Sequence, residues 1–337
     1  MFNKDRRSKN NRSHWIIPLS LTLAAILLYF TLRDLDWPTF WTVIKFGHYE
    51  FLLLTIPIGC INYFIRTVRW NVLLRAEKKI SIVTVFWANM VGYMGNAYLP
   101  ARAGEILRSA FLGRQKGLGT SFVLATALAE RLLDVVALVL IGSISFLVQA
   151  NVSPVLANAL RFMALIGFVG LVIVIAAPFQ EKLILRAKGW LPLPEKYSVL
   201  VSQQIIRFLT GMRSLQSIRR LGIFTILTAV IWFIDAFANT IGVRILSQTL
   251  TIDQALILLA ALGLSSAIPS TPGYIGVYQF VAVVVLTSFG FSRANALAYI
   301  LISQVINYLL VSFWGLIGLW RINKSDLSPD ATELIKE

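Results

Sequence analysis

Glu130, Arg131 and Asp134 stand inside an apolar run at 120–148, where ionised side chains are costly. Glu130 and Asp134 are four residues apart, so a helix places both on one face. Arg131 is three from Asp134, close enough to pair. Asp235 lies midway along a second run, 221–246, with Asn239 one turn later. Three acids against one mid-span base cannot all stay ionised in hydrocarbon. Either arginines from elsewhere reach in, or an acid keeps its proton. A translocation path or a structural ion pair that ties helices together would each account for the group. For Asp235 the structural alternative is a salt bridge to Arg102 or Arg131.

A second cluster follows the run 82–99. Asn96, Pro100, Arg102, Gly104, Glu105 and Arg108 are packed into thirteen residues. Arg102, Glu105 and Arg108 recur every three residues and would line one face of a short helix after a break. Arginine binds phosphate with a planar two-toothed fork, so Arg102 and Arg108 are candidate phosphate holders. Arg66 and Arg69 close the run at 50–69, as further phosphate contacts or as anchors that snorkel to the membrane surface. A third group, Pro269, Ser270, Thr271, Pro272, Gly273, Tyr274, Gly276 and Gln279, separates apolar segments 254–268 and 277–290. It offers hydroxyls, an amide and free backbone N–H groups at a helix break, suited to an anion. An external loop is the plainer alternative.

The elements that must position these residues are membrane helices. Of 337 residues, 57% are hydrophobic and 14% charged, with a mean hydropathy of +0.73. Soluble domains carry about 25% charged residues. The run from Trp15 to Leu32 holds no charge, and about 20 such residues span a bilayer. The net charge of +15 is gathered between apolar runs, where it meets lipid headgroups rather than nucleic acid. One cysteine, Cys60, rules out an intrachain disulfide, and with two separated histidines it argues against a His/Cys metal site. No phosphate-binding loop motif or cofactor signature is present. The expectation is no metal and no cofactor.

Basic clusters set the orientation. Residues 1–14, 102–116 and 179–220 read as cytoplasmic, and 149–158 as external, with both termini inside the cell membrane. Full helices are expected at 15–32, 50–69, 120–148, 159–178, 221–246 and 296–320. The run at 82–99 would break the charge rule as a crossing. It reads as a re-entrant hairpin broken at Pro100 and Gly104. Residues 254–290 are either one hairpin, broken at Pro269, Pro272 and Gly276, or two crossings. Within 179–220, apolar residues from Val201 to Leu215 recur at helical spacing, as in an amphipathic helix on the inner surface or one packed on the bundle.

An internal echo links the two breaks. Leu99 and Pro100 precede Gly104 as Ile268 and Pro269 precede Gly273. Interrupted apolar segments in corresponding halves point to an inverted repeat with its site between the tips. The fold class expected is an all-α polytopic bundle of about six crossings plus two broken-helix hairpins, or eight crossings, in one transmembrane domain over 15–320.

In order and spacing, four elements resemble the lysylphosphatidylglycerol synthase transmembrane, or flippase-like, family. They are Arg66–Arg69–Trp70, Asn96 through Arg108, Glu130–Arg131–Asp134, and Pro269 through Gln279. The resemblance implies a lipid-translocating domain. Seventeen residues follow Trp320, too few for the aminoacyl-transfer domain of some relatives, so a standalone member is expected. The leading functional expectation is a flippase-like transporter of an anionic lipid or lipid-linked phosphate. A lipid-modifying glycosyl- or acyl-transferase, or a lipid-binding regulator, remains the alternative. Expected partners are anionic membrane lipids, another copy of the chain and a separate lipid-modifying enzyme.

Overall fold

A computed structural model of the chain describes residues 13–75, 77–99, 102–148, 213–266 and 271–326, and the isolated positions 165, 168, 169 and 172. The expected external loop 149–158, nearly all of helix 159–178, the amphipathic stretch from 201 to 212, and Pro100, Pro269 and Ser270 lie outside the described residues.

Ten α-helices and no strand occur among the described residues: α1 Ser13–Leu32, α2 Trp37–Lys45, α3 Leu52–Leu74, α4 Ile82–Tyr98, α5 Ala103–Lys116, α6 Thr120–Val148, α7 Ile218–Gly242, α8 Ile252–Ser265, α9 Val277–Ser288 and α10 Arg293–Asp326. The chain is an all-α polytopic membrane bundle. The segments Tyr49–Leu74, Ile218–Leu246 and Arg293–Arg321 are long and apolar enough to cross a bilayer. α4, α5, α8 and α9 have 17, 14, 14 and 12 residues. At 1.5 Å per residue each is about 18–26 Å long, short of the ~30 Å hydrocarbon core. α4 packs on α5 and α8 on α9, so each pair forms a hairpin of part-length helices.

Local sequence explains the ends. Asp36 caps α2 by accepting the Thr39 N–H at 3.2 Å, with proline in the first helical turn. This short helix falls in a stretch expected to be plain loop. Thr251 and Gln254 form a capping box on α8, with Thr251 N–H donating to Gln254 Oε1 at 3.1 Å. α5 ends on Gly117 at φ 64°, a left-handed cap that glycine adopts without strain.

Two expectations need correction. The run ending at 69 continues as helix to Leu74, so Arg66 and Arg69 lie within α3 instead of at its rim. Gly104 is not a break. It sits in the first turn of α5, where a Cβ would fall 2.5 Å from Asn96 N and collide with Gly92 O. Glycine is there to let α4 and α5 cross with their backbones in contact. Leu99, with ψ 146°, is the residue that leaves the helix.

The helices repeat. A long helix, a hairpin and a longer helix (α3, α4–α5, α6) are followed by the same series (α7, α8–α9, α10). The contacts repeat too. α3 lies on α7, α4 of the first hairpin packs on α10, and α8 of the second packs on α6. Each hairpin thus leans on the final long helix of the other half. This exchange brings the two tips together. Gly273 sits so close to α4 that a Cβ would lie 3.1 Å from Ala97 O.

Candidate functional site

Side chains from α3, α5 and α6 build a buried ion network. Arg69, 1% exposed, holds Asp134 through two parallel bonds, Nη1 to Oδ1 at 2.6 Å and Nη2 to Oδ2 at 2.9 Å, and Glu130 Oε1 at 2.9 Å. Glu130 passes its other oxygen to Arg108 at 3.1 Å. Arg108, wholly buried, also reaches Glu105 at 2.5 Å and donates to Asn89 Oδ1. Its guanidinium lies 4.3 Å from the Trp70 ring, while Trp70 Nε1 donates to Thr126 Oγ1 at 3.1 Å. Glu105 closes the chain by accepting from Arg131 Nε at 2.9 Å and Asn96 Nδ2 at 3.2 Å.

The pairing differs from the sequence expectation. Arg131 pairs with Glu105, not with Asp134. Asp235 pairs with Arg66 at 2.6 Å, not with Arg102 or Arg131. It also accepts from Asn62, and its backbone oxygen accepts from Asn239 Nδ2 at 2.6 Å. Arg69 is no surface anchor, because its charge is spent on two buried carboxylates. Arg108 is likewise buried, with its two terminal nitrogens committed to Asn89, Glu105 and Glu130. The counter-ions to the mid-span acids come from α3 and α5. A buried charge without its partner is expensive, which is why each acid here has one.

Between the two halves lies a cavity of about 470 Å³, within the size range of small-ligand sites. Arg66, Arg102 and Arg131 line it, along with Asp134, Asp235 and a set of tyrosines that includes Tyr274 and Tyr278. Asn96, Asn239 and Gly273 line it as well. Arg102 is the N-cap of α5 in a left-handed conformation, φ 54°. Its Nη2 donates to the Ser266 backbone oxygen at 2.9 Å and to Ser266 Oγ. Its guanidinium lies 5.6 Å from the Tyr274 ring, and Tyr274 stacks on Tyr278 at 4.7 Å. Arg102 makes no ion pair with a carboxylate among the described residues.

The second tip is uncharged. Gly276 N–H donates to Gln279 Oε1 at 2.6 Å, which starts α9. Gln279 Nε2 donates to Gln304 Oε1, and Gln304 Nε2 to Gly273 O at 3.3 Å. Tyr308 OH also donates to Gly273 O, at 2.6 Å. Pro272 opens the 3-10 turn that carries Gly273. Thr271 Oγ1 donates to Ile275 O at 2.7 Å, so its hydroxyl is used within the turn. Sequence reasoning missed Asn62, Asn89, Ser266, Gln304 and Tyr308, and gave Trp70 only as part of the family resemblance. The polar residues Ser303, Gln304 and Asn307 inside an otherwise apolar helix were the signal for part of that set.

Comparison with known proteins agrees with the geometry. UPF0104 membrane protein PH1989 of Pyrococcus horikoshii is 26% identical over 326 residues, covering 90% of this chain and 95% of the relative. No solved structure matches. The family described as Lysylphosphatidylglycerol synthase TM region matches residues 17–315. By that match, and with its broken-helix hairpins and buried charges, the chain belongs to the lysylphosphatidylglycerol synthase TM region family.

Proposed function

We propose that the protein moves an anionic lipid, or a lipid-linked phosphate, across the cell membrane by holding its headgroup in the cavity between the two hairpins. The observation that supports this most is Arg102, a guanidinium facing the cavity that no described carboxylate neutralises. Arg66 and Arg131 face the same space. A site of this volume takes a headgroup and leaves the acyl chains in the surrounding lipid. The tips of two part-length hairpins are where broken-helix carriers place their sites. The test is translocation of fluorescent phosphatidylglycerol in proteoliposomes, read by a membrane-impermeant quencher. Faster loss of protected signal than in protein-free vesicles is expected, and its abolition in Arg102→Ala. Equal rates with and without protein would defeat the proposal.

The same reading places both termini and the Lys116 end of α5 on the cytoplasmic side, following the basic clusters, with Arg102 at the hairpin tip within the membrane. A single cysteine at position 115 in a Cys60→Ala background should react with impermeant reagent only from that side. A separate enzyme that makes or consumes the lipid would complete the system.

A further inference from the structure

We propose that Arg102 is the residue that takes the negative charge of the headgroup, and that it releases Ser266 in order to do so, so that lipid binding itself unlocks the two hairpin tips. This rests on the anionic-lipid reading of the cavity. Three independent observations on the structure carry it.

The first is the charge count. Arg66, Arg69, Arg102, Arg108 and Arg131 face Glu105, Glu130, Asp134 and Asp235. Every carboxylate is matched to an arginine. Among the described residues Arg102 is the surplus, so this set carries one positive charge more than its carboxylates balance. A phosphodiester supplies a single negative charge. A pyrophosphate would overshoot and leave a buried negative charge in its turn.

The second is what Arg102 holds now. Ser266 is the C-cap of α8, and its carbonyl is one of the oxygens that a helix end leaves without an internal partner. Arg102 sits at the negative end of that helix dipole, a place where a cation is welcome. The bond joins the start of α5 in one hairpin to the end of α8 in the other. A phosphate oxygen is a stronger acceptor for guanidinium than a neutral carbonyl, so an entering headgroup wins the competition. Nη1 and Nε have no partner among the described residues and are free to complete a two-toothed grip.

The third is the platform. Tyr274 lies under the guanidinium and is itself stacked on Tyr278 with the rings 12° apart. A cation held over an aromatic face keeps its charge paired while it changes partners. It also keeps the fork flat, the orientation that bidentate phosphate binding needs.

The experiment places spin labels at Leu99 and Ile275, both exposed and one on each tip, in a Cys60→Ala background. Distances are measured by electron resonance in neutral detergent, and affinities by titration. Dioctanoylphosphatidylglycerol should lengthen the 99–275 distance, and dioctanoylglycerol, which lacks phosphate, should not. Ser266→Ala weakens the tether and should tighten lipid binding about threefold. Arg102→Lys should weaken it about tenfold. Arg102→Gln should show the longer distance without lipid and no response to it. Binding by the parent protein with an unchanged distance overturns the unlocking while sparing the lipid reading. So does unimpaired binding by both Arg102 variants. An equal shift with inorganic phosphate at the same concentration upholds the release of Ser266 and overturns the lipid reading. Absence of any binding to the parent protein overturns both.

Discussion

Gln279 and Gln304 share a hydrogen bond at the place where the first half of the protein carries an ion pair. Gln279 is the third residue of α9, as Glu105 is the third of α5, and Gln304 is the twelfth residue of α10, as Arg131 is the twelfth of α6. The first half joins hairpin to long helix through Glu105 and Arg131 at 2.8 Å, and the second does so through two neutral amides. The correspondence suggests an exchange experiment. Glu105→Gln and Arg131→Gln should each destabilise the protein. The double variant rebuilds the amide pair of the other half and should lose less than the sum, with a coupling of about 1–3 kcal/mol. Thermal unfolding of the four proteins in detergent measures it. Strict additivity would mean that the pair contributes nothing as a pair.

Arg69 is the hub of the network, and its loss strands Asp134 and half of Glu130. Arg69→Gln is expected to cost about 3–5 kcal/mol, the usual result of breaking a buried pair from one side. Arg69→Lys should recover only part, because an ammonium cannot make the parallel bonds to Asp134. A melting temperature unchanged in Arg69→Gln would show that water or another cation fills the gap.

Three glycines separate close contact from backbone conformation. Gly104→Ala drives a methyl into α4 and should cost about 3 kcal/mol. Gly117→Ala meets nothing within 4 Å, yet φ is +64°, so about 1 kcal/mol is expected. Gly222 is helical, exposed and open on all sides, and Gly222→Ala should stabilise by up to about 1 kcal/mol. The ranking by thermal unfolding is the check. A Gly104→Ala protein as stable as Gly222→Ala would refute the close helix crossing.

Asp235 restrains Arg66, and the pair is the most exposed of the buried set, with side chains 15% and 25% accessible. Asp235→Asn leaves a second uncompensated guanidinium facing the cavity. On the proposed anionic-lipid reading, affinity for phosphatidylglycerol should rise about tenfold, the ~1.4 kcal/mol of one charge-assisted contact, and should weaken with added salt more steeply than in the parent. Lipid titration at two ionic strengths tests this. A drop in affinity would place the Asp235 carboxylate in contact with the headgroup instead.

The helices were legible because hydropathy runs and breaks report directly on length and burial. The charge rule pointed to the first hairpin but left 254–290 as one hairpin or two crossings, and the echo of Leu99–Pro100 in Ile268–Pro269 was the one sign of a second hairpin whose tip meets the first. Pairing was not. Spacing along one helix tells which residues share a face, but not which neighbour that face meets. Arg131 and Asp134 are three apart and still bond to different helices. The acid surplus read from α6 and α7 vanished once α3 was found to run on to Leu74, which carries Arg66 and Arg69 into the bundle. Gly104 misled for a related reason. Glycine serves both turns and tight crossings, and only the position of Gly92 and Asn96 across the interface decides between them.

The unlike wiring of the two halves has a mechanical consequence. Opposite charges attract more strongly than two neutral amides do, and an interior of lowered dielectric widens that difference. The α5–α6 joint is therefore the stiff member of the assembly and the α9–α10 joint the compliant one. Thermal motion should concentrate in the compliant joint, and amide hydrogens of α9 should exchange with deuterium sooner than those of α5. The two hairpins, alike in layout, would then differ in role: the charged one a fixed jaw, which keeps the charges in register, and the amide one the jaw that yields.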